Sequence, residues 1–116
     1  MRLKQLKIMG FRGFNKECSV NLDADVVLIY GLNGTGKSSL TEALEWLFFG
    51  DISRRKLSPC RSEYQYEDYL RNLFYNGPAN PFVEVEGELD GNIVKIRKEL
   101  ITEKQAKHYI NEHEVD

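Results

Sequence analysis

The sequence predicts an α/β fold, and three observations predict it. An apolar run, "VVLIY" at 26–30, leads straight into the glycine-rich stretch "GLNGTGKSS" at 31–39. That stretch opens a segment, "KSSLTEALEWLFFG", whose apolar residues recur at helical spacing. Segments of period-two alternation stand before it, in 2–22, and after it, in 82–115. The order strand, glycine loop, helix calls for a mixed sheet. Its central strand feeds the loop, and antiparallel strands flank it. With 116 residues and no repeat, linker or low-complexity segment, the chain reads as one domain, 1–116.

Each element has its own signature. In "RLKQLKIMGFRGF", Leu6 and Ile8 share one strand face, and Gly10 to Gly13 punctuate the end. "CSVNLD" puts Cys18, Val20 and Leu22 on one face of a second, half-buried strand. "VVLIY" is apolar on both faces, as a strand covered on two sides must be. In the helix, Leu40, Ala43, Leu44 and Leu47 form a stripe. Trp46, Phe48 and Phe49 widen it nearly all round, so deep burial is expected, with Gly50 as the stop. Ser62 and Gln65 have capping-box spacing and open a short predicted helix over 63–75. "FVEVEGELDGNIVKIRKELI" is a β-hairpin signal turning at Asp90-Gly91-Asn92, with Val83, Val85 and Leu89 on one face. "KHYINEHEV" reads as a single last strand.

Composition narrows the function. A net charge of −2 argues against a polybasic arm, though not against a local basic patch. No apolar run reaches the ~20 residues of a membrane span. The charged-apolar alternation of the first ten residues is unlike a signal peptide, so a cytoplasmic or nucleoid-associated location is expected. Cys18 and Cys60 form no CxxC pair, and His108 and His113 supply no zinc spacing, so reduced thiols and solvated imidazoles are expected.

The glycine stretch carries the chemistry. Gly31, Gly36, Lys37 and Ser38 meet the pattern G-x-x-x-x-G-K-[ST]. Backbone N–H groups can wrap a polyphosphate only where side chains stay clear, which Gly31, Gly34 and Gly36 provide. A helix starting near Lys37 aims its positive dipole end at the phosphates. The Lys37 ammonium suits the β- and γ-phosphates, and the Ser38 hydroxyl is a hard ligand for Mg²⁺. Asn33, Thr35 and Ser39 complete the loop that would hold ATP. Phosphoryl transfer also needs an apolar strand ending in Asp or Asp-Glu to hold Mg²⁺ and polarise water. "VVLIY" leads into the loop itself and "FVEVEGELD" alternates, so this chain shows half of an active site. A kinase or GTPase reading is weak, because no N-K-x-D element exists.

"LKIMGFRGF", followed by "VVLIYGLNGTGKSSLTEALEWLFFG", resembles the N-terminal head segment of ABC-type ATPases of the SMC group, including their zinc-hook repair, RecF-like and RecN-like relatives. Their loop reads G-x-N-G-x-G-K-S-[ST], matched by Gly31, Asn33, Gly34, Gly36, Lys37, Ser38 and Ser39. Phe11, Arg12 and Phe14 match their F-[RK]-x-F element, and "HYIN" at 108–111 matches a Y-x-[IL]-N strand. The resemblance implies a P-loop N-terminal lobe, incomplete without a C-terminal lobe that brings the signature motif, the acidic strand and a catalytic glutamate. Two assembled heads would sandwich two ATP molecules and hydrolyse them, with Lys37 as the catalytic cation, in DNA repair, chromosome organisation or anti-phage defence. DNA and a nuclease are the further partners it implies.

The resemblance places Arg12 near the nucleotide; from the residues alone it is equally a solvated strand-end arginine. Asn33 is a γ-phosphate neighbour or a turn residue. Ser39 reads as an N–H donor to phosphate rather than a second metal ligand. Arg54, Arg55, Lys56 and Arg61 stand without an acid among them, either to meet a DNA backbone or as a solvated charged loop. A nucleotide-binding or scaffold module without turnover is the alternative to the ATPase.

Overall fold

The computed structural model describes residues 1–25, 27, 37–50, 70–72, 74–102 and 105–115, with Lys37 and Ser38 described by backbone alone. Six strands and one helix are present among them: β1 (Arg2–Met9), β2 (Cys18–Asn21), α1 (Lys37–Phe49), β3 (Phe82–Leu89), β4 (Asn92–Thr102), β5 (Gln105–Ile110) and β6 (His113–Val115). The strands form one sheet in the order β2-β1-β3-β4-β5-β6. Every described pairing is antiparallel. The expected loop-feeding strand at 26–30 lies outside the described residues, apart from Val27, which is exposed.

Register decides which face is apolar. Ile8 pairs with Cys18 on one side and Val83 on the other, and Val83 pairs with Lys98. Leu6 pairs with Val20 and Val85, and Val85 with Ile96. Because strand side chains alternate, these rows lie on one face. α1 covers that face with Leu40, Ala43, Trp46 and Leu47, and Phe11 and Leu70 close the same cluster. The Phe11 and Trp46 rings meet at 5.1 Å. Burying each large side chain here contributes roughly 1.5–3 kcal/mol. On the opposite face charges pair, Arg97 of β4 with Glu84 across the strands and with Glu99 along its own strand, both at 3.1 Å.

α1 is less deeply buried than its composition suggests. Phe48 and Phe49 are 40% and 79% exposed, so the helix is one-sided. Both belong to the last turn of α1 and stand outside the core cluster that Leu40, Ala43, Trp46 and Leu47 join. Leu89, expected on the buried face, is exposed because it sits at the hairpin tip, paired with Asn92.

Two sequence expectations change. The helix predicted over 63–75 is not helical where it is described. Arg71 bridges to Phe11, Asn72 N–H donates to the Gly10 carbonyl at 2.8 Å, and Arg12 N–H donates to the Leu70 carbonyl at 2.6 Å. The backbone groups a helix would pair internally are paired instead with the end of β1. The rest of that segment, 63–69 and 73, lies outside the described residues. "KHYINEHEV" is two strands, not one. Asn111 and Glu112 take φ of 50° and 71°, and Ile110 pairs with His113 across a two-residue turn. Asn111 tolerates that backbone and its side chain accepts the Lys95 N–H at 3.0 Å. The Asp90-Gly91 turn has the same sign of φ at both positions, as expected of a tight hairpin.

Candidate functional site

The site is built around the N-terminus of α1. Its first residues, Lys37, Ser38 and Ser39, have N–H groups with no intrahelical acceptor, and the aligned peptides place partial positive charge there. The first turn contains no acidic residue that would occupy this end. The helix starts inside G-x-x-x-x-G-K-S, at its lysine. Asn33, Gly34, Thr35 and Gly36 lie outside the described residues, as do Gly31 and the basic residues Arg54, Arg55, Lys56 and Arg61.

The turn after β1 docks on this helix end. Gly10 adopts φ +68°, and a Cβ there would stand 2.9 Å from the Tyr75 ring, so only glycine lets the chain turn at this point. Arg12 follows at φ 51°, an uncommon conformation for a residue with a side chain. Its backbone is held on both sides: its N–H by Leu70 and its carbonyl by Asn72 Nδ2, at 2.7 Å. Phe14 N–H closes the turn on the Phe11 carbonyl at 2.9 Å. Gly13 N–H then donates to Ser39 Oγ at 3.0 Å. The Ser39 hydroxyl therefore anchors the turn to the first turn of α1.

Arg12 is not a solvated strand-end arginine. Its side chain is 8% exposed, and Nε stands 2.6 Å from Oε2 of Glu42, itself 10% exposed. Glu42 lies one turn along α1 from Ser39. The F-[RK]-x-F element thus meets the helix at two successive turns, through a hydroxyl and then through a carboxylate.

The other end of α1 is closed from within. Gly50, at φ +92°, donates its N–H to the Trp46 carbonyl at 3.1 Å, a left-handed C-terminal cap. Lys98 of β4 reaches across, its Nζ donating to the carbonyls of Trp46 at 3.1 Å and Gly50 at 3.2 Å. The ammonium also sits 4.2 Å from the Trp46 ring.

Sequence reasoning missed Glu42, Asn72 and Lys98. Glu42 stands three residues after Ser39, an S-x-x-E spacing that flags a pair near a helix start. Lys98 had one weak signal, a charge on the strand face that also carries Ile96 and Leu100. Asn72 had none. Away from the helix, Asp23 accepts from Lys4 Nζ and Arg2 Nε, both at 3.1 Å. These hydrogen bonds, Lys4 first, hold its carboxyl below the ordinary carboxylate range.

A family model described as an AAA domain matches residues 5–115. The chain belongs to that family. The AAA domain is 27% identical over 116 residues to the chromosome partition protein Smc of Halothermothrix orenii, covering 96% of this chain and 10% of that protein. It is 30% identical over 112 residues to the DNA double-strand break repair Rad50 ATPase of Methanococcus maripaludis, again 96% and 10%. Its fold overlays the SMC head domain of Thermotoga maritima with a TM-score of 0.70 at 25% identity, covering 100% of this chain and 39% of that one. The chain is thus an SMC-like N-terminal head segment with the α/β P-loop ATPase fold. It spans about a tenth of the length of the curated relatives it matches. Among the described residues, no helix is long and apolar enough to cross a membrane.

Proposed function

We propose that this AAA domain is the Mg-ATP-binding half of an SMC-like ATPase head. One observation carries the reading: the amino end of α1, without an acid in its first turn, follows directly on Gly36 of the glycine loop. The backbone N–H groups of 34–39 and the helix dipole would take up the phosphates. Lys37 would neutralise the β- and γ-phosphates, and Asn33 and Arg12 would border the γ-phosphate. Ser38 would hold Mg²⁺, which when bound bridges phosphate oxygens and neutralises developing charge. The docked turn at Arg12–Gly13 supports this by fixing the helix end in place before any ligand binds.

Hydrolysis would require a C-terminal lobe, to supply the acidic strand and the catalytic base, and engagement of a second head. DNA is the proposed larger substrate, met by Arg54, Arg55, Lys56 and Arg61, in chromosome organisation, repair or anti-phage defence; a nuclease is the further proposed partner. The names of the Smc and Rad50 relatives support the chromosome and repair settings.

The test is direct. MgATP binding is measured by calorimetry on the chain, and turnover after a C-terminal lobe is added. Turnover is expected to appear with the lobe, and Lys37→Ala is expected to lower it by about 100-fold or more, as loss of a transition-state cation does. Binding without any turnover in the assembled head would favour the scaffold reading. Lys37→Ala binding ATP as well as the wild type would end both.

A further inference from the structure

We propose that Glu42 is the positioning residue for Arg12, holding its guanidinium against the first two turns of α1 so that the cation is in place when a triphosphate arrives. The inference rests on the nucleotide reading above.

Geometry locates the pair. Gly13 N–H is bonded to Ser39, the third residue of α1, so the neighbouring Arg12 lies beside the phosphate end of the helix. From there its side chain has two fates, solvent or helix. The structure shows the second: 8% exposure, and an ion pair to Glu42 at 2.6 Å. A buried arginine needs a counter-charge. Within this helix, Glu45 is the other acid, and it lies a further turn fraction away from the N-terminus.

The pair does two things for an incoming polyanion. It cancels the carboxylate of Glu42, which would otherwise set a negative charge in the second turn and oppose phosphate. It also fixes a long, many-rotamer side chain during folding, so binding need not immobilise it. The backbone serves the same end. Arg12 is held at φ 51° with its N–H on Leu70 and its carbonyl on Asn72, so both ends of the residue are set.

The test compares MgATP and AMP affinities by calorimetry on the full chain. The wild type, Lys37→Ala, Arg12→Met, Glu42→Gln and the double variant Arg12→Met/Glu42→Leu are measured side by side. Glu42→Gln is expected to weaken ATP binding about tenfold, the size of one charge-assisted contact, and to shrink the ATP-to-AMP ratio alike. A purely structural role would lower both affinities together and leave the ratio unchanged, which would overturn the proposal. The double variant is expected to match Arg12→Met, because Glu42 acts through Arg12; losses that multiply would also overturn it. Should Glu42→Gln fail to fold, the double variant carries the test, since apolar replacement of both members of a buried pair is tolerated. A wild-type ratio in it sinks the assignment. Unaltered ATP binding in Lys37→Ala removes the nucleotide reading and Glu42's role together. Lys37-dependent binding that ignores Glu42→Gln removes only the latter.

Discussion

The two ends of α1 are treated in opposite ways. At the carboxyl end, a buried ammonium from β4 and the Gly50 cap satisfy the carbonyls of Trp46 and Gly50. At the amino end, the first turn holds no acid, and the described residues beside it include a hydroxyl anchor and the Arg12–Glu42 ion pair. A helix of 13 residues presents a dipole of about half a charge at each end. Here the negative pole is answered by the ammonium of Lys98, and among the described residues no acid stands in the turn at the positive pole. The difference teaches that the helix is anchored from its carboxyl end and its flank, which is the arrangement the proposed phosphate site at its amino end would require.

The largest break in this arrangement should come from the residue common to core and cap. Trp46 packs on Phe11, lies under Lys98 and contributes a capped carbonyl. Trp46→Ala is expected to cost about 3–5 kcal/mol, from lost burial and the cavity left behind. Urea unfolding followed by circular dichroism measures it, and a loss under 1 kcal/mol would show that α1 is held elsewhere.

Next comes the carboxyl end alone. Lys98→Met keeps most of the apolar stem and deletes the charge. It is expected to destabilise by about 1.5–3 kcal/mol, the range for hydrogen bonds to a charged group. Hydrogen exchange should then show the amides of the last turn opening more readily, with those near Ser39 little changed. Equal loosening at both ends would contradict the independence of the two poles.

At the amino end the expected effect is smaller. Ser39→Ala removes the acceptor for Gly13 N–H, an exposed bond, at about 0.5–1.5 kcal/mol. Differential scanning should register a modest fall in Tm, whereas an unchanged Tm would mean that Phe11 and Glu42 alone dock the turn.

The smallest belongs to a surface cluster off the helix, and it serves as the control. The Asp23 carboxyl is depressed by Lys4 and then by Arg2. Its contribution is therefore present above the unfolded value, 3.8, and fades as pH falls through the lower folded value. Exposed pairs of this kind are weak and screened by salt. Asp23→Asn should lower stability slightly at neutral pH and not at all below the carboxylate range; a gap that persists in acid would mean a packing effect.

Much of this was legible in the residues. Strand alternation placed Leu6, Ile8, Val83 and Val85 on one face, and all four are fully buried. Helical spacing placed Leu40, Ala43 and Leu47 toward the core, where they lie. The G-x-x-x-x-G-K-S pattern set the start of α1 at Lys37. Other parts were not legible. The segment ending at Tyr75 carries a helical stripe, yet Arg71 and Asn72 pair with the turn after β1. Local pattern reports only which residues favour burial, and at 70–72 a nearby strand end with open backbone groups took up the backbone instead. The final hairpin was hidden because Asn111-Glu112 lacks the glycine that marks most tight turns.

Period and spacing along the chain determined the class of fold, the faces of its strands and the start of α1 at the lysine of the glycine motif. Those follow from sterics and hydrophobicity, which act between near neighbours. Tertiary structure alone decided which charges go together: Arg12 with Glu42, 30 residues apart, and Lys98 with the carbonyl end of α1, 48 and 52 residues away. The physical reason is range. A buried charge is stable only beside its complement, and which complement lies beside it is set by how the sheet and helix pack, not by position in the chain.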